Sequence, residues 1–254
     1  MDEKIRVGRE FLKDAIRLLT DFAATDQSKG VQPPPFEKPV SDGTKRVMLP
    51  QPAGLGERFS IDLARAVTNR RSRRAYLPDP LSLEELSWLL WATQGVQKVF
   101  GDRSTFRTVP SAGARHALET YLAVSRVTGL EPGLYRFLPI EHELICEYQD
   151  KDIGIKLTEG VLGQSFALKA AVSFIWTTIP YRMEWRYGAA SHKVIALDAG
   201  HVCQNLYLAC EAIHCGTCAI AAYHQEKMDA LLRVDGTDEF TIYVSPVGRI
   251  DGED

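Results

Sequence analysis

The sequence lacks any long apolar run. Its most apolar stretch, FALKAAVSFIWTTI, is interrupted by Lys169 and is too short to span a bilayer. The start, MDEKIRVGREF, has no apolar segment behind a basic one, so no secretory signal is expected and the protein reads as soluble and cytoplasmic. It has no excess of positive charge: 30 Lys and Arg stand against 33 Asp and Glu, a net charge of −3. No global field therefore draws the chain to nucleic acid or a membrane. Cysteine is scarce. The five residues Cys146, Cys203, Cys210, Cys215 and Cys218 are an odd number with no secretory signal, which argues against a disulfide framework. There is no G-x-G-x-x-G, so a Rossmann domain is not expected. Internal repeats and low-complexity segments are also missing.

What is present is an ordinary globular composition over 254 residues, 45% hydrophobic and 25% charged, enough for a full core. Residues 3–24 carry apolar positions at helical spacing and predict an amphipathic helix that packs on something. The proline-rich stretch DQSKGVQPPPFEKPVSDGTKRVMLPQPAGLG predicts an extended connection. Residues 1–56 are therefore expected as a helix and arm, and 57–254 as the main domain.

Within that domain, Ser60 is expected to start a short helix. Ser82 and Glu85 form a capping-box pattern ahead of a second, amphipathic helix. ETYLAVSRV, LYRFLP and HELICEY predict a three-strand meander. Residues 151–170 predict helix and AVSFIWTTI a buried strand. Residues 191–213 predict a long helix, too apolar for a surface and so central or in an interface. TCAIAAY and FTIYVSPVG predict closing strands around a short helix at 225–232. Helices and strands are interspersed without a regular βαβ repeat, which favours an α+β fold with a mixed sheet.

Three segments could carry chemistry. RAVTNRRSRRAY holds Arg65, Arg70, Arg71, Arg73 and Arg74 with no acid among them. Guanidinium forks match phosphate oxygens, and Ser72 adds a hydroxyl, so a small phosphate ligand is favoured over a solvated turn or an RNA patch. Pro110, Ser111, Ala112, Gly113 and Ala114 form a run of small residues against which a flat ligand could lie, although a plain loop has the same spelling. Gly248 and Arg249 end the last expected strand, where the arginine is either a surface charge or a return to the phosphate site.

These segments resemble the nitroreductase superfamily, and within it the SagB-type, thiazole/oxazole-dehydrogenase branch. RRSRRAY, LSLEELSWLLWATQG, PSAGARHALETY, LDAGHVCQNLYLA and YVSPVGR carry the likeness in the family's order. The resemblance implies an α+β nitroreductase-like fold with a mixed, mainly antiparallel sheet and a long central helix. It implies an obligate homodimer with FMN at the interface. By motif, Arg70, Arg71, Ser72, Arg74 and Arg249 would hold the phosphate, with Gly248 beside them. Pro110–Ala114 would lie along the ring system, and the backbone near Ala221 and Ala222 would face flavin N5. The implied reaction is hydride transfer between flavin N5 and a small unsaturated, nitro, quinone or heterocyclic substrate, with NAD(P)H as donor. Azoline-to-azole peptide oxidation and non-catalytic flavin binding are the alternatives.

One departure bears on the substrate. Azoline-oxidising members of the branch carry a Lys-Tyr pair, and the matching place here is Arg186-Tyr187. Arginine holds its proton at neutral pH and cannot act as a general base. Tyr187 is thus the candidate catalytic residue, a proton donor or acceptor, with a packing aromatic as its alternative.

HCGTC, residues 214–218, has the spelling of a redox or zinc motif. His214, Cys215 and Cys218 lack a second ligand pair, so no metal is expected. Gly216 is expected to end the long helix.

Overall fold

The computed structural model describes residues 2–101 and 104–251. The N-terminal helix is shorter than its periodicity implies. Asp2 caps α1 (Glu3–Leu12) by accepting from the Lys4 N–H, and the chain breaks at Lys13 before α2 (Ala15–Leu19). None of the apolar side chains of either helix is buried within the chain, and Leu18 and Leu19 are 89% and 81% exposed. The packing expected of this face is absent from the single chain.

The proline segment runs extended, as expected, but it is tied to the domain. The Gln27 N–H donates to Trp185 O at 2.9 Å, and the Trp185 indole donates to Val31 O at 3.0 Å. Arg136 donates to the carbonyls of Lys38 and Pro39. Residues 46–48 then form β1 (Arg46–Met48), an edge strand of the main sheet. The division expected at residue 57 thus cuts through a shared sheet. Three residues, R-V-M, are too short to announce a strand by alternation.

After α3 (Leu55–Arg58), Asp62 rather than Ser60 caps α4 (Leu63–Asn69), accepting from the Arg65 N–H. In α5 (Leu83–Gln94) both bonds of the capping box are made: Glu85 N–H to Ser82 Oγ at 3.2 Å, and Ser82 N–H to Glu85 Oε2 at 2.8 Å. β2 (Val96–Phe100) and β3 (Ser104–Arg107) form a small separate ribbon. The meander is β4 (Leu118–Val124), β5 (Gly133–Leu138) and β6 (Glu143–Gln149). There follow α6 (Ile153–Gly160), β7 (Val172–Thr178), α7 (Tyr181–Tyr187) and α8 (His192–Glu211). The chain closes with β8 (Cys215–Thr217), α9 (Gln225–Leu232) and β9 (Phe240–Arg249).

Seven strands make one sheet in the order β1-β6-β5-β4-β7-β9-β8, and each of these pairings is antiparallel. Parallel character is confined to isolated bridges, Ser72 with Thr217 and Leu81 with Val127. Alternation along the strands sends side chains to two cores. Leu122, Phe174 and Trp176 pack with Leu86, Leu89 and Leu90 of α5 and Val202 and Leu206 of α8. Tyr121, Ala123 and Ile175 pack on the other face with Leu157 of α6 and Met228 and Leu232 of α9. The central helix α8 buries one stripe, Ile195, Ala199, Val202, Leu206 and Ala209, and leaves Ala196, Leu197, Gly200, His201 and Gln204 exposed.

Gly216 does not stop that helix. The helix ends at Glu211, and His214 takes the left-handed turn at φ 53°. Gly216 lies in β8, opposite Gly248 of β9. A Cβ on Gly216 would come within 2.7 Å of Arg73 Cβ, and one on Gly248 within 2.7 Å of the Tyr76 ring. The missing side chains make room for the arginine segment to lie across the sheet edge.

Candidate active site

The arginine segment leaves α4 as extended chain along the edge strand. Arg73 N–H donates to Thr217 O at 3.0 Å, and Leu77 N–H donates to Arg249 O at 2.9 Å. Extended chain turns alternate residues to opposite sides. Ser72 faces Tyr207 of α8, with its Oγ 3.1 Å from the phenol oxygen. Arg70 lies 5.4 Å over the Tyr207 ring, and Arg74 5.8 Å over the Phe166 ring. Neither guanidinium pairs with a carboxylate among the described residues. Arg71 turns back, donating to Thr68 O at 2.8 Å and Arg70 O at 3.0 Å at the end of α4.

Tyr207 is the residue that sequence reasoning missed. Its hydroxyl accepts from the Ala219 N–H at 2.8 Å and shares a second hydrogen bond with the Ser72 hydroxyl. It thereby joins the arginine segment to the chain that leads to Ala221 and Ala222. The signal was a polar-tipped aromatic in CQNLYLA, on a helix otherwise read as apolar core. Ala221 and Ala222 are exposed, and their N–H groups have no partner among the described residues.

Arg249 is tied elsewhere. It donates to both oxygens of Glu85 at 2.7 Å and to Ile213 O at 2.8 Å, linking β9 to the first turn of α5 and the end of α8. Its backbone and that of Gly248, rather than its guanidinium, stand beside the arginine segment.

The second half of the site is the loop at 110–114. Ala112–Ala114 form a 3-10 turn in which Gly113 has φ 59°, and Ala114 and His116 also take positive φ, 52° and 48°. Left-handed conformations at two non-glycine residues are costly and gather where function demands a shape. Asp198 of α8 holds this turn: its carboxylate accepts from the Ala112 N–H at 3.3 Å, with the Ser111 side chain nearby. Burial raises the Asp198 carboxyl above its ordinary range, and the Ser111 and Ala112 donors oppose that rise. Asn205, further along α8, donates to Ala92 O and Thr108 O. One helix therefore positions both halves of the site.

Tyr187 ends α7 directly over the turn. A Cβ on Gly113 would lie 2.5 Å from the Tyr187 hydroxyl and 2.9 Å from Arg186 Nε. The sequence pair Arg186-Tyr187 is thus brought onto the small-residue loop. Cys215 stands apart from this chemistry, whereas Cys218 lies beside Ser72 and Arg74. Both are buried free thiols, and burial pushes Cys215 up to about 12. Among the described residues no group of His, Cys, Asp or Glu is placed to hold a metal, and no helix is long and apolar enough to cross a membrane.

A profile of the nitroreductase family matches residues 67–249, which takes in Arg70–Arg74, the 110–114 loop and the closing strand. The chain belongs to the nitroreductase family. A Methanocaldococcus jannaschii protein that carries a provisional nitroreductase name is 34% identical over 189 residues, 74% of this chain and 91% of its own length. The trifolitoxin-processing protein TfxB of Rhizobium leguminosarum bv. trifolii is 29% identical over 149 residues, 55% of this chain and 40% of its own length. The crystal structure of a provisionally named nitroreductase from Ralstonia eutropha JMP134 superposes with a TM-score of 0.67 at 25% identity, covering 87% of this chain and 95% of that one. The NADPH:FMN oxidoreductase of Vibrio harveyi, solved with NAD+, shares the fold at a TM-score of 0.52 and 14% identity, over 74% and 68% of the two chains. Membership in the nitroreductase family makes this chain an oxidoreductase in the general sense. The antiparallel sheet flanked by helices and the long α8 are the nitroreductase-like fold.

Proposed function

We propose that this nitroreductase-family chain is an FMN-dependent oxidoreductase that reduces or oxidises a small unsaturated, nitro, quinone or heterocyclic substrate, with NAD(P)H as electron donor. The observation that carries the reading is the donor set around Tyr207. Arg70 and Arg74 are two guanidinium groups without a carboxylate partner, and Ser72 sits between them on the Tyr207 hydroxyl. Two guanidinium groups with no carboxylate in ion-pair contact among the described residues, and a hydroxyl, match a phosphate ester on a polyol chain. The open N–H groups of Ala221 and Ala222 supply donors for the polar edge of a ring system. FMN, when bound, supplies two-electron hydride chemistry.

The chain's own residues bind, orient and supply protons. Arg70 and Arg74 neutralise the phosphate, and Tyr207 fixes Ser72. Asp198 sets the 110–114 turn, and the missing side chain of Gly113 lets Tyr187 and Arg186 close onto that turn. Tyr187, over Gly113, is placed to give or take a proton at a substrate on that surface.

A homodimer completes the proposal. Asp198 and Tyr207 are nine residues apart on α8, about 13 Å along the axis, so the loop and the arginine segment stand at separate points of one helix. The exposed small and apolar face of Ala196, Leu197 and Gly200 is the surface through which two copies would bring one chain's loop to its partner's arginine segment. The likeness to TfxB, named for trifolitoxin processing, favours a second reading, action on a peptide, for which the family resemblance implies azoline oxidation. Arg186 in the place of the expected base weighs against it.

The test is anaerobic titration of the FMN-loaded protein with NADPH and with NADH. Bleaching of the flavin absorbance band by either nucleotide supports the oxidoreductase reading. A flavin that neither reduces, while dithionite does, contradicts the assignment of the donor.

A further inference from the structure

Arg186 is a cation without an anion. It is half-buried at the end of α7, and its guanidinium lies 5.5 Å from the Tyr187 ring centre. No carboxylate pairs with it among the described residues. The acids around α7 are committed to other groups. Glu119 pairs with Arg182 at 2.5 Å, and Glu184 with His192 at 2.8 Å. Asp198, the acid beneath the loop, accepts from the Ala112 N–H. Arg115 adds more positive charge nearby: it donates to Arg182 O at 3.2 Å and lies 4.6 Å over the Trp185 ring. Burial first, then the charges of Arg186 and Arg182, lower Arg115 below its ordinary range. The field at the end of α7 is therefore positive, and it is aimed at the loop, because Arg186 Nε would lie 2.9 Å from a Cβ on Gly113.

A half-buried guanidinium is costly to leave unpaired, and its planar fork fits a carboxylate through two parallel bonds. We propose that the substrate of this enzyme carries a carboxylate, bound by Arg186 so that the reacting group lies beside the 110–114 turn within reach of the Tyr187 hydroxyl. This inference rests on the flavin reading above and narrows it to anionic electrophiles. In this account Arg186 is a specificity residue, and the proton chemistry belongs to Tyr187.

The experiment is a spectral titration of the oxidised FMN-loaded protein with benzoate and with benzamide, a neutral ligand of nearly the same shape. Both are followed by the perturbation of the flavin absorbance band. Wild type should bind benzoate more tightly by about tenfold, the scale of one charge-assisted hydrogen bond. Arg186→Ala should abolish that preference without lowering flavin content, and Arg186→Lys should keep part of it. A protein that holds FMN yet binds the two ligands equally, or whose preference survives in Arg186→Ala, overturns the inference alone. A protein that takes up no FMN overturns the flavin reading, and the inference with it.

Discussion

Gly216 stands opposite Gly248 across the β8–β9 ladder, and the arginine segment lies over both. Arg73 packs at the Cβ position that Gly216 lacks, and Tyr76 at the one that Gly248 lacks. The pair seats a cation-rich strand on a sheet edge with no side chains between them. Gly248→Ala would place a methyl 2.7 Å from Tyr76 Cγ and force the segment outward. The expected cost is about 1–3 kcal/mol, as for an overpacked core. A lowered melting temperature together with weakened FMN binding is the expected result. A variant with wild-type melting and wild-type FMN affinity would show that the segment is not seated there.

Arg70 and Arg74 are assigned to the phosphate because no carboxylate among the described residues makes an ion pair with them, although Glu211 acts on Arg70 from further off. Arg70→Ala with Arg74→Ala should weaken FMN binding by at least about a hundredfold, from the loss of charged hydrogen bonds worth about 1.5–3 kcal/mol each. The fold should persist, since neither guanidinium is part of the core. Quenching of FMN fluorescence on binding gives the affinity. Riboflavin, which has no phosphate, should bind wild type and double variant equally well.

Asp198→Ala leaves the Ala112 N–H without its acceptor. A lost partner at a buried donor costs about 1–3 kcal/mol. The turn carrying Gly113 should loosen, and both stability and turnover should drop. Asp198→Asn, which keeps one acceptor oxygen, should recover part of each. Equal losses in the two variants would mean that the carboxylate does more than hold the turn.

The proline segment carries its own titrating group. Glu37 accepts from the Ile140 N–H at 3.2 Å, and burial, then hydrogen bonding to the Glu141 carboxyl, pushes it up to about 8. The folded chain thus keeps a proton there that the unfolded chain releases near the ordinary carboxylate value of about 4.3. The stabilisation is complete below that value, declines as pH rises, and is lost through pH 8. Glu37→Gln, permanently neutral, should flatten the fall in melting temperature between about pH 5 and 8. An unchanged slope would assign the pH dependence to other groups.

The parts of this molecule that were legible in the sequence are those set by local chemistry. The capping box of Ser82 and Glu85, the strands of the meander and the helix at 225–232 lie close to where their patterns place them. What was illegible depends on contacts distant in sequence. β1 exists because β6 offers an edge, and Asp62 displaces Ser60 because of where the chain enters α4. Gly216 is spelled like a helix stop, yet its smallness serves Arg73, more than 140 residues earlier in the chain. In the site, the types and order of Arg70, Ser72, Arg74 and Gly113 could be read directly. Tyr207 could not, because its role lies in two bonds to segments far apart in sequence.

The most direct test of the central claim is the stoichiometry of FMN binding to the purified full-length chain, measured by absorbance after removal of free flavin. One FMN per chain, retained by wild type and lost in the Arg70→Ala, Arg74→Ala variant, is the predicted result. A folded, colourless protein that takes up no FMN from solution would contradict the account.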